Sequence, residues 1–368
     1  MKIGIITLPF NTNYGGMLQA FALYSLLKRY GYDVTIMAKK GDFPLSPFKS
    51  YFKFGLLYIL GKTTFNPFRH ILIHFYFNKV SQFTYQFLEG TTKIKYYTDY
   101  AKEVNQYDYD AFIVGSDQVW RPKYFGEDII DQAFLNFTKS WDVKRISYAA
   151  SFGTKECEYS EISKELCGKC LHFFDAVSCR EDGGLKLCHN MFGVDAVRMI
   201  DPTMLLEKED YVSLCNQNKV PHYQGKLFSY ILDNVLSIAR IEEAISNELG
   251  LNAFHVNAMA ENKWIPIQQH ISYWLQAFVD AEMIITDSFH GTVLSIIFNK
   301  PFWVVVNVDR GSDRFDTLLN IFGLNNRMIE TSDISNIDFK EPIDWIRVNH
   351  IRSIEKQKAL EFLFNSLK

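Results

Sequence analysis

Lys2-Ile3-Gly4-Ile5-Ile6-Thr7-Leu8, then a loop from Pro9 to Gly15, then Gly16-Met17-Leu18-Gln19-Ala20-Phe21-Ala22-Leu23, read as strand, loop and helix. The first run is apolar without alternation, as in a strand covered on both faces. Leu18, Phe21, Ala22 and Ser25 keep helical spacing toward Tyr30, and Gly31 ends the helix. Asp33–Ala38 is the next strand. A strand that returns through a helix to another strand predicts a parallel pair.

Working outward, the alternation recurs. Strands are expected at Tyr109–Gly115, Arg145–Ala150, Ala176–Cys179 and Ala196–Ile200, then at Leu227–Leu232, Ala253–Val256, Met283–Thr286 and Phe302–Val306. Helical patterns at Ser237–Leu249, His270–Asp280 and Thr292–Phe298 separate the second series. The expected fold class is therefore α/β, with two Rossmann-like domains facing a central cleft. The first domain is expected at 1–203, with an aromatic and basic insert at about 43–100. The second is expected at 204–340, and a final helix in 341–368 is expected to pack back on the first domain. In open parallel sheets ligands sit beyond the carboxyl ends of the strands, so the loops there are where chemistry is sought.

With 368 residues, 48% hydrophobic and 22% charged, the chain is too apolar for a disordered protein. A net charge of −3 speaks against a nucleic-acid partner. The apolar start is too brief for a signal peptide, and a cytoplasmic location with reduced thiols is expected. Cys167 and Cys170 form a C-x-x-C, yet their spacing to Cys179 and Cys188 matches no zinc module, and the thiols are expected to be small buried hydrophobes. No metal site is indicated.

Aromatic residues reach 15%. From Phe43 to Leu88 there is no acidic residue, while Lys49, Lys53, Lys62, Arg69 and Lys79 alternate with rings such as Tyr51, Phe52, Phe54 and Phe75. Two readings stay open: a helical subdomain packed on the sheet, or peripheral contact with an anionic bilayer at the inner face of the cytoplasmic membrane.

Five segments carry groups suited to chemistry. Asn13-Tyr14-Gly15-Gly16 lies between strand and helix, where Gly15 and Gly16 let backbone approach a ligand and the helix start favours an anion. The plainer reading is a tight turn. Ser116-Asp117-Gln118-Val119-Trp120 ends a buried strand, with Asp117 as candidate base; the alternative is a helix cap. Arg180-Glu181 follows another strand, either as an anion fork with an orienting acid or as a structural pair. Asp287-Ser288-Phe289-His290-Gly291-Thr292 is the sharpest signal. Ser288, Gly291 and Thr292 are candidate anion donors, and His290 carries a side chain whose ordinary pKa suits proton transfer near neutrality. A buried, satisfied histidine is the other reading. Asp309-Arg310-Gly311-Ser312-Asp313-Arg314 offers two arginines around a glycine, for an anion or simply for solvent.

Taken in order, Asn13–Ala20, Gly115–Trp120, Ser147–Gly153, Arg180-Glu181, Asp201-Pro202-Thr203 and Asp287–Gly291 resemble the polysaccharide pyruvyl transferase family, over about residues 1–325. The resemblance implies a fold similar to B-type glycosyltransferases. It also implies transfer of a pyruvyl group from phosphoenolpyruvate, as donor substrate and without a cofactor, to a sugar acceptor as a cyclic ketal. That chemistry belongs to capsule or exopolysaccharide biosynthesis, with a galactose-type and lipid-linked acceptor expected. The family's histidine matches His290 and its strand-end arginine Arg180. Better-known members carry an arginine where this chain has Ser288, so Arg314 or Arg310 is expected to supply that charge.

On this reading His290, Asp117 and Glu181 are the catalytic set. Arg180, Arg314, Arg310, Ser288, Gly291, Thr292, Gly15 and Gly16 bind the donor, and Asn13, Tyr14, Gln118 and Trp120 the acceptor. The rivals are a glycosyltransferase of the same fold using a nucleotide-sugar, which needs a base-and-ribose pocket such as a strand-end acid near Val256–Glu261 where no convincing one is read, and a non-catalytic carbohydrate-binding protein.

Overall fold

A computed structural model describes residues 1–10, 13–39, 58, 60–61, 92–232, 236–256, 270–306, 312–329 and 337–368. Arg310, most of the nucleotide pocket sought near Val256–Glu261 and nearly all of the aromatic stretch 43–88 lie outside the described residues.

The first sheet contains β1 (Lys2–Thr7), β2 (Asp33–Lys39), β3 (Ile94–Tyr97), β4 (Ala111–Val114) and β5 (Lys144–Ser147), in the order β3-β2-β1-β4-β5. Every pairing is parallel. Central β1 is covered on both faces: Ile3, Ile5 and Ile6 have no exposed surface. Gly4 is the exception that packing demands, because a Cβ there would lie 2.4 Å from Met37 Sδ. Helix α1 (Tyr14–Arg29) is started by the Asn13 side chain, which accepts from the Gly16 N–H. Past its end, Gly31 adopts φ 85°, which glycine reaches without strain.

Beyond β5, the short pair β6 (Ser178–Cys179) and β7 (Val197–Arg198) runs parallel to it, joined through single bridges from Ile146 to Ala176 and from Ala150 to Cys179. The strand expected at Arg145–Ala150 stops at Ser147, and Ala149 turns to φ 50° before Ala150 pairs with both Asp117 and Cys179. Helices α2 (Glu161–Leu171) and α3 (Asp182–Phe192) flank this edge. Cys167 and Cys170 are buried on α2, and burial pushes the Cys170 thiol up to about 11.

After α4 (Lys208–Gln217) comes the second sheet: β8 (Leu227–Tyr230), β9 (Ala253–Phe254), β10 (Met283–Thr286), β11 (Phe302–Val305) and β12 (Met328–Ile329). Its order is β12-β11-β10-β8-β9, again parallel throughout. Its helices are α5 (Leu236–Leu249), α6 (Ile271–Asp280), α7 (Phe289–Ile297) and α8 (Asp313–Phe322). Two Rossmann-like halves of parallel sheet and helix thus make an α/β fold.

The last helix, α9 (Trp345–Ser366), reaches back to the first half. Phe364 packs on Tyr30 with centroids 4.2 Å apart, and Arg352 donates to the Leu206 carbonyl at 2.8 Å. Strands β3 and β12 escape a reading by periodicity because each is short, and helices α3 and α4 are not among the elements expected from it. Among the described residues, no helix is long and apolar enough to cross a membrane.

Candidate active site

The carboxyl ends of β1, β4 and β6 meet the amino end of α7. Asp201, just after the Ala196–Ile200 run, stands at the centre with no exposed side-chain surface. Its Oδ2 accepts from Ser116 Oγ at 2.9 Å and from Arg180 Nη1 at 2.9 Å. His290 Nε2 lies 3.5 Å from the same oxygen. Oδ1 accepts from the backbone and hydroxyl of Thr203, at 3.0 and 2.8 Å, so the acid starts the short helix after it. Burial alone would raise the Asp201 pKa; His290 and Arg180 outweigh it and hold the carboxyl well below the usual range.

Arg180 is buried, with its guanidinium 4.2 Å over the Phe289 ring. Nη1 is taken by Asp201, and among the described residues no group hydrogen-bonds Nε or Nη2. Those two atoms form the side-on fork that takes a carboxylate or phosphate bidentately. Their nearest anions stand off: Glu181 Oε2 lies 3.8 Å from Nε, and Asp117 Oδ1 lies 3.9 Å from Nη2. A buried donor pair without a partner is costly to leave so, and an oxyanion at the fork would satisfy both.

His290 and Asp117 flank successive glycines at the start of α1. A Cβ on Gly15 would lie 2.1 Å from His290 Nδ1, and one on Gly16 would lie 3.0 Å from Asp117 Oδ2. The close approach expected of a ligand at these glycines is made by the two side chains themselves. Asp117 holds φ 70°, a conformation that costs a non-glycine residue energy and that collects at functional sites. Its Oδ2 accepts from Asn13 Nδ2 at 3.4 Å.

Other expectations are corrected. Trp120, expected to face an acceptor, has no exposed surface; it stacks on Phe134, and its Nε1 donates to the Ala133 carbonyl. Tyr14 is likewise buried, stacked on Trp274 with centroids 5.2 Å apart. Ser288 and Thr292 are spent on their own helix: Ser288 Oγ accepts from Gly291 N–H, and Thr292 Oγ1 donates to the Ser288 carbonyl. Gly291 makes room for Thr286, which a Cβ would meet at 2.3 Å. Glu181 braces a loop with one oxygen, Oε1, which accepts from Ser151 Oγ and the N–H groups of Phe152 and Gly153, while Oε2 faces Arg180 Nε at 3.8 Å. Gln118 lies against Gly153 and accepts from Arg121 at 3.1 Å.

Arg314 reaches the site from α8. Its Nε is sealed from solvent without a hydrogen-bond partner among the described residues, and its pKa is pushed down by burial and then by Arg180, against the pull of Glu181 and Asp117. Asp201 carried too little signal to be assigned a role from the sequence, although an acid directly after an apolar strand stands at the strand's carboxyl end. Among the described residues, no three His, Cys, Asp or Glu side chains converge as metal ligands would.

The fold is α/β with two Rossmann-like halves, like that of the B-type glycosyltransferases, and the residues just described come from both halves. Staphylococcus aureus MnaA, in a co-structure with UDP, is similar in fold at a TM-score of 0.51 and 13% identity, over 99% of this chain and 97% of that one. A UDP-GlcNAc 2-epimerase from Methanocaldococcus jannaschii gives a TM-score of 0.48 at 11% identity, over 97% and 93%. No match is found among curated proteins. The chain belongs to the polysaccharide pyruvyl transferase family, whose model matches residues 13–310.

Proposed function

We propose that the protein transfers the pyruvyl group of phosphoenolpyruvate to two hydroxyls of a sugar in a polysaccharide or lipid-linked glycan precursor, as in capsule or exopolysaccharide synthesis. The observation that carries this is the unpartnered Nε–Nη2 edge of buried Arg180, beside His290. Phosphoenolpyruvate brings a carboxylate and a phosphate, one for that fork and one for Arg314.

His290, protonated, gives its proton to the donor's methylene carbon, and carbon two becomes oxocarbenium-like. A sugar hydroxyl attacks carbon two and loses its proton to Asp117. The bond from carbon two to the phosphate oxygen then breaks, and the second hydroxyl closes the ketal. Of the two hydroxyl protons, one replaces that given to the methyl group and one leaves on hydrogen phosphate. Asp201, fixed by Ser116 and Arg180, holds the imidazole and the guanidinium in one register.

The lack of acidic residues from Phe43 to Leu88, with five basic ones, supports peripheral contact with anionic lipid when the acceptor is lipid-linked. Pelleting with anionic vesicles at low salt tests that contact; none refutes it.

The test of the reaction is incubation with phosphoenolpyruvate and lipid-linked galactosides, read as phosphate release and as a ketal by mass spectrometry. Thermal shift provides the comparison, since only a ligand of the native state raises the midpoint. A rise with UDP-sugars and none with phosphoenolpyruvate would overturn the proposal in favour of nucleotide-sugar chemistry.

A further inference from the structure

Helix α3 begins directly after Arg180 and Glu181, and its amino end is closed by the other half of the molecule. Glu181 occupies the cap position but makes no capping bond, its Oε1 being turned to residues 151–153. The N–H of Gly183 donates instead to Asp313 Oδ2 at 2.9 Å, and the N–H of Asp182 to Thr317 Oγ1 at 3.1 Å. Both acceptors stand on α8. Asp313 is buried, and its Oδ1 lies 3.4 Å from Lys155 Nζ, again in the first half. Gly183 is the residue that admits it, for a Cβ there would lie 2.2 Å from Oδ2. A carboxylate at a helix amino end makes a charge-assisted bond with a favourable dipole.

The next residue along α8 is Arg314. Two guanidinium groups brought together in a buried site repel, so something must hold Arg314 toward Arg180 before an anion arrives. We propose that Asp313 is the positioning residue for Arg314: its cap on α3, made across the cleft, sets α8 against α3 and completes the anion site only when the two halves are joined. The inference rests on reading the cleft as an oxyanion site. It implies linkage, since closing the cleft raises affinity for the anion and binding the anion holds the cleft closed.

The experiment uses the full chain and three variants, Asp313→Asn, Asp313→Ala and Gly183→Ala. Binding of inorganic phosphate and of phosphoenolpyruvate is followed by calorimetry, turnover is split into KM and kcat, and hydrogen exchange is followed at the Gly183 amide. Loss of a cap corresponds to about a five- to tenfold weakening. Asp313→Ala and Gly183→Ala are expected to weaken both ligands by about that factor and to raise KM for the donor, with kcat at saturation within about twofold of the parent. Exchange at the amide of position 183 rises in both. Asp313→Asn keeps an acceptor oxygen, so it restores part of the affinity, and it serves as the second variant should the alanine variant fail to fold.

Unchanged exchange at Gly183 in Asp313→Ala would overturn the cap. Faster exchange with unchanged phosphate affinity, or a fall in kcat with KM unmoved, would overturn the positioning role. A parent protein that binds neither phosphate nor phosphoenolpyruvate overturns the anion reading of the cleft, and the positioning role with it, while the exchange result still decides whether the cap exists.

Discussion

The backbone of Gly15 is pressed so closely on the imidazole of His290 that a methyl group on it would sit 2.1 Å from Nδ1. One residue comes from the first turn of α1 and the other from a helix 275 positions later in the chain. The ring's place is therefore set by the absence of a side chain on its neighbour. Gly15→Ala should keep the fold and displace the ring. Turnover is expected to fall about a hundredfold, close to His290→Ala, because a general acid typically contributes about 10²–10⁴. Circular dichroism with initial rates checks this, and near-parental turnover in either variant removes the imidazole from the reaction.

Arg180 presents its fork edge with Nη1 already tied to Asp201. Arg180→Lys keeps a charge but loses the paired donors, so KM for phosphoenolpyruvate should rise roughly 10–100-fold, the loss of one to two charge-assisted bonds. Arg180→Met goes further and leaves the buried Asp201 carboxylate without its cation, at a cost of about 3–5 kcal/mol in folding stability. Saturation kinetics and urea unfolding measure the two effects separately.

Asp201 also sets a pH dependence. Its native pKa is depressed, so the unfolded chain takes up the proton more readily than the folded one. That contribution to stability is fully present above about pH 5, and it is lost as pH falls through the unfolded value of roughly 4 toward the native one. The urea midpoint of the parent should therefore fall between about pH 5 and pH 3, and fall less steeply in Asp201→Asn. Equal slopes would show that the depressed carboxyl does not contribute.

Trp120 supplies a contrast. Its indole is core, so Trp120→Phe should cost stability without touching acceptor kinetics. The Ala133 carbonyl loses its donor and a small void opens, together about 1–3 kcal/mol. A lowered thermal midpoint with unchanged acceptor KM is expected. A raised acceptor KM at parental stability would return the residue to the site.

Alternation of apolar runs with helical spacing located most strands of both sheets, and Met283–Thr286 matches to the residue. Strand ends gave the loops that the structure brings together, because in parallel sheets the backbone polar groups stop being paired there and polar side chains collect. The roles inside those loops were less legible. Ser288 and Thr292 read as donors to a ligand but close their own helix turn, since a local acceptor always competes with a distant one. Trp120 reads as acceptor-binding because it stands beyond a strand's carboxyl end, a position that does not say which way the ring packs.

The chain order of residue types alone determined the α/β class, the two series of strands and the segments from which reactive groups come. Periodicity of burial is a local property, and it is written in consecutive residues. Only the tertiary structure decided that Asp201 joins Arg180 to His290, that Gly15 and Gly16 make room for His290 and Asp117, and that Asp313 closes a helix in the other half. Those contacts span 21 to 275 positions along the chain, and no spacing rule acts over such distances. They depend on how two sheets pack and face each other, a relation that consecutive residues do not encode.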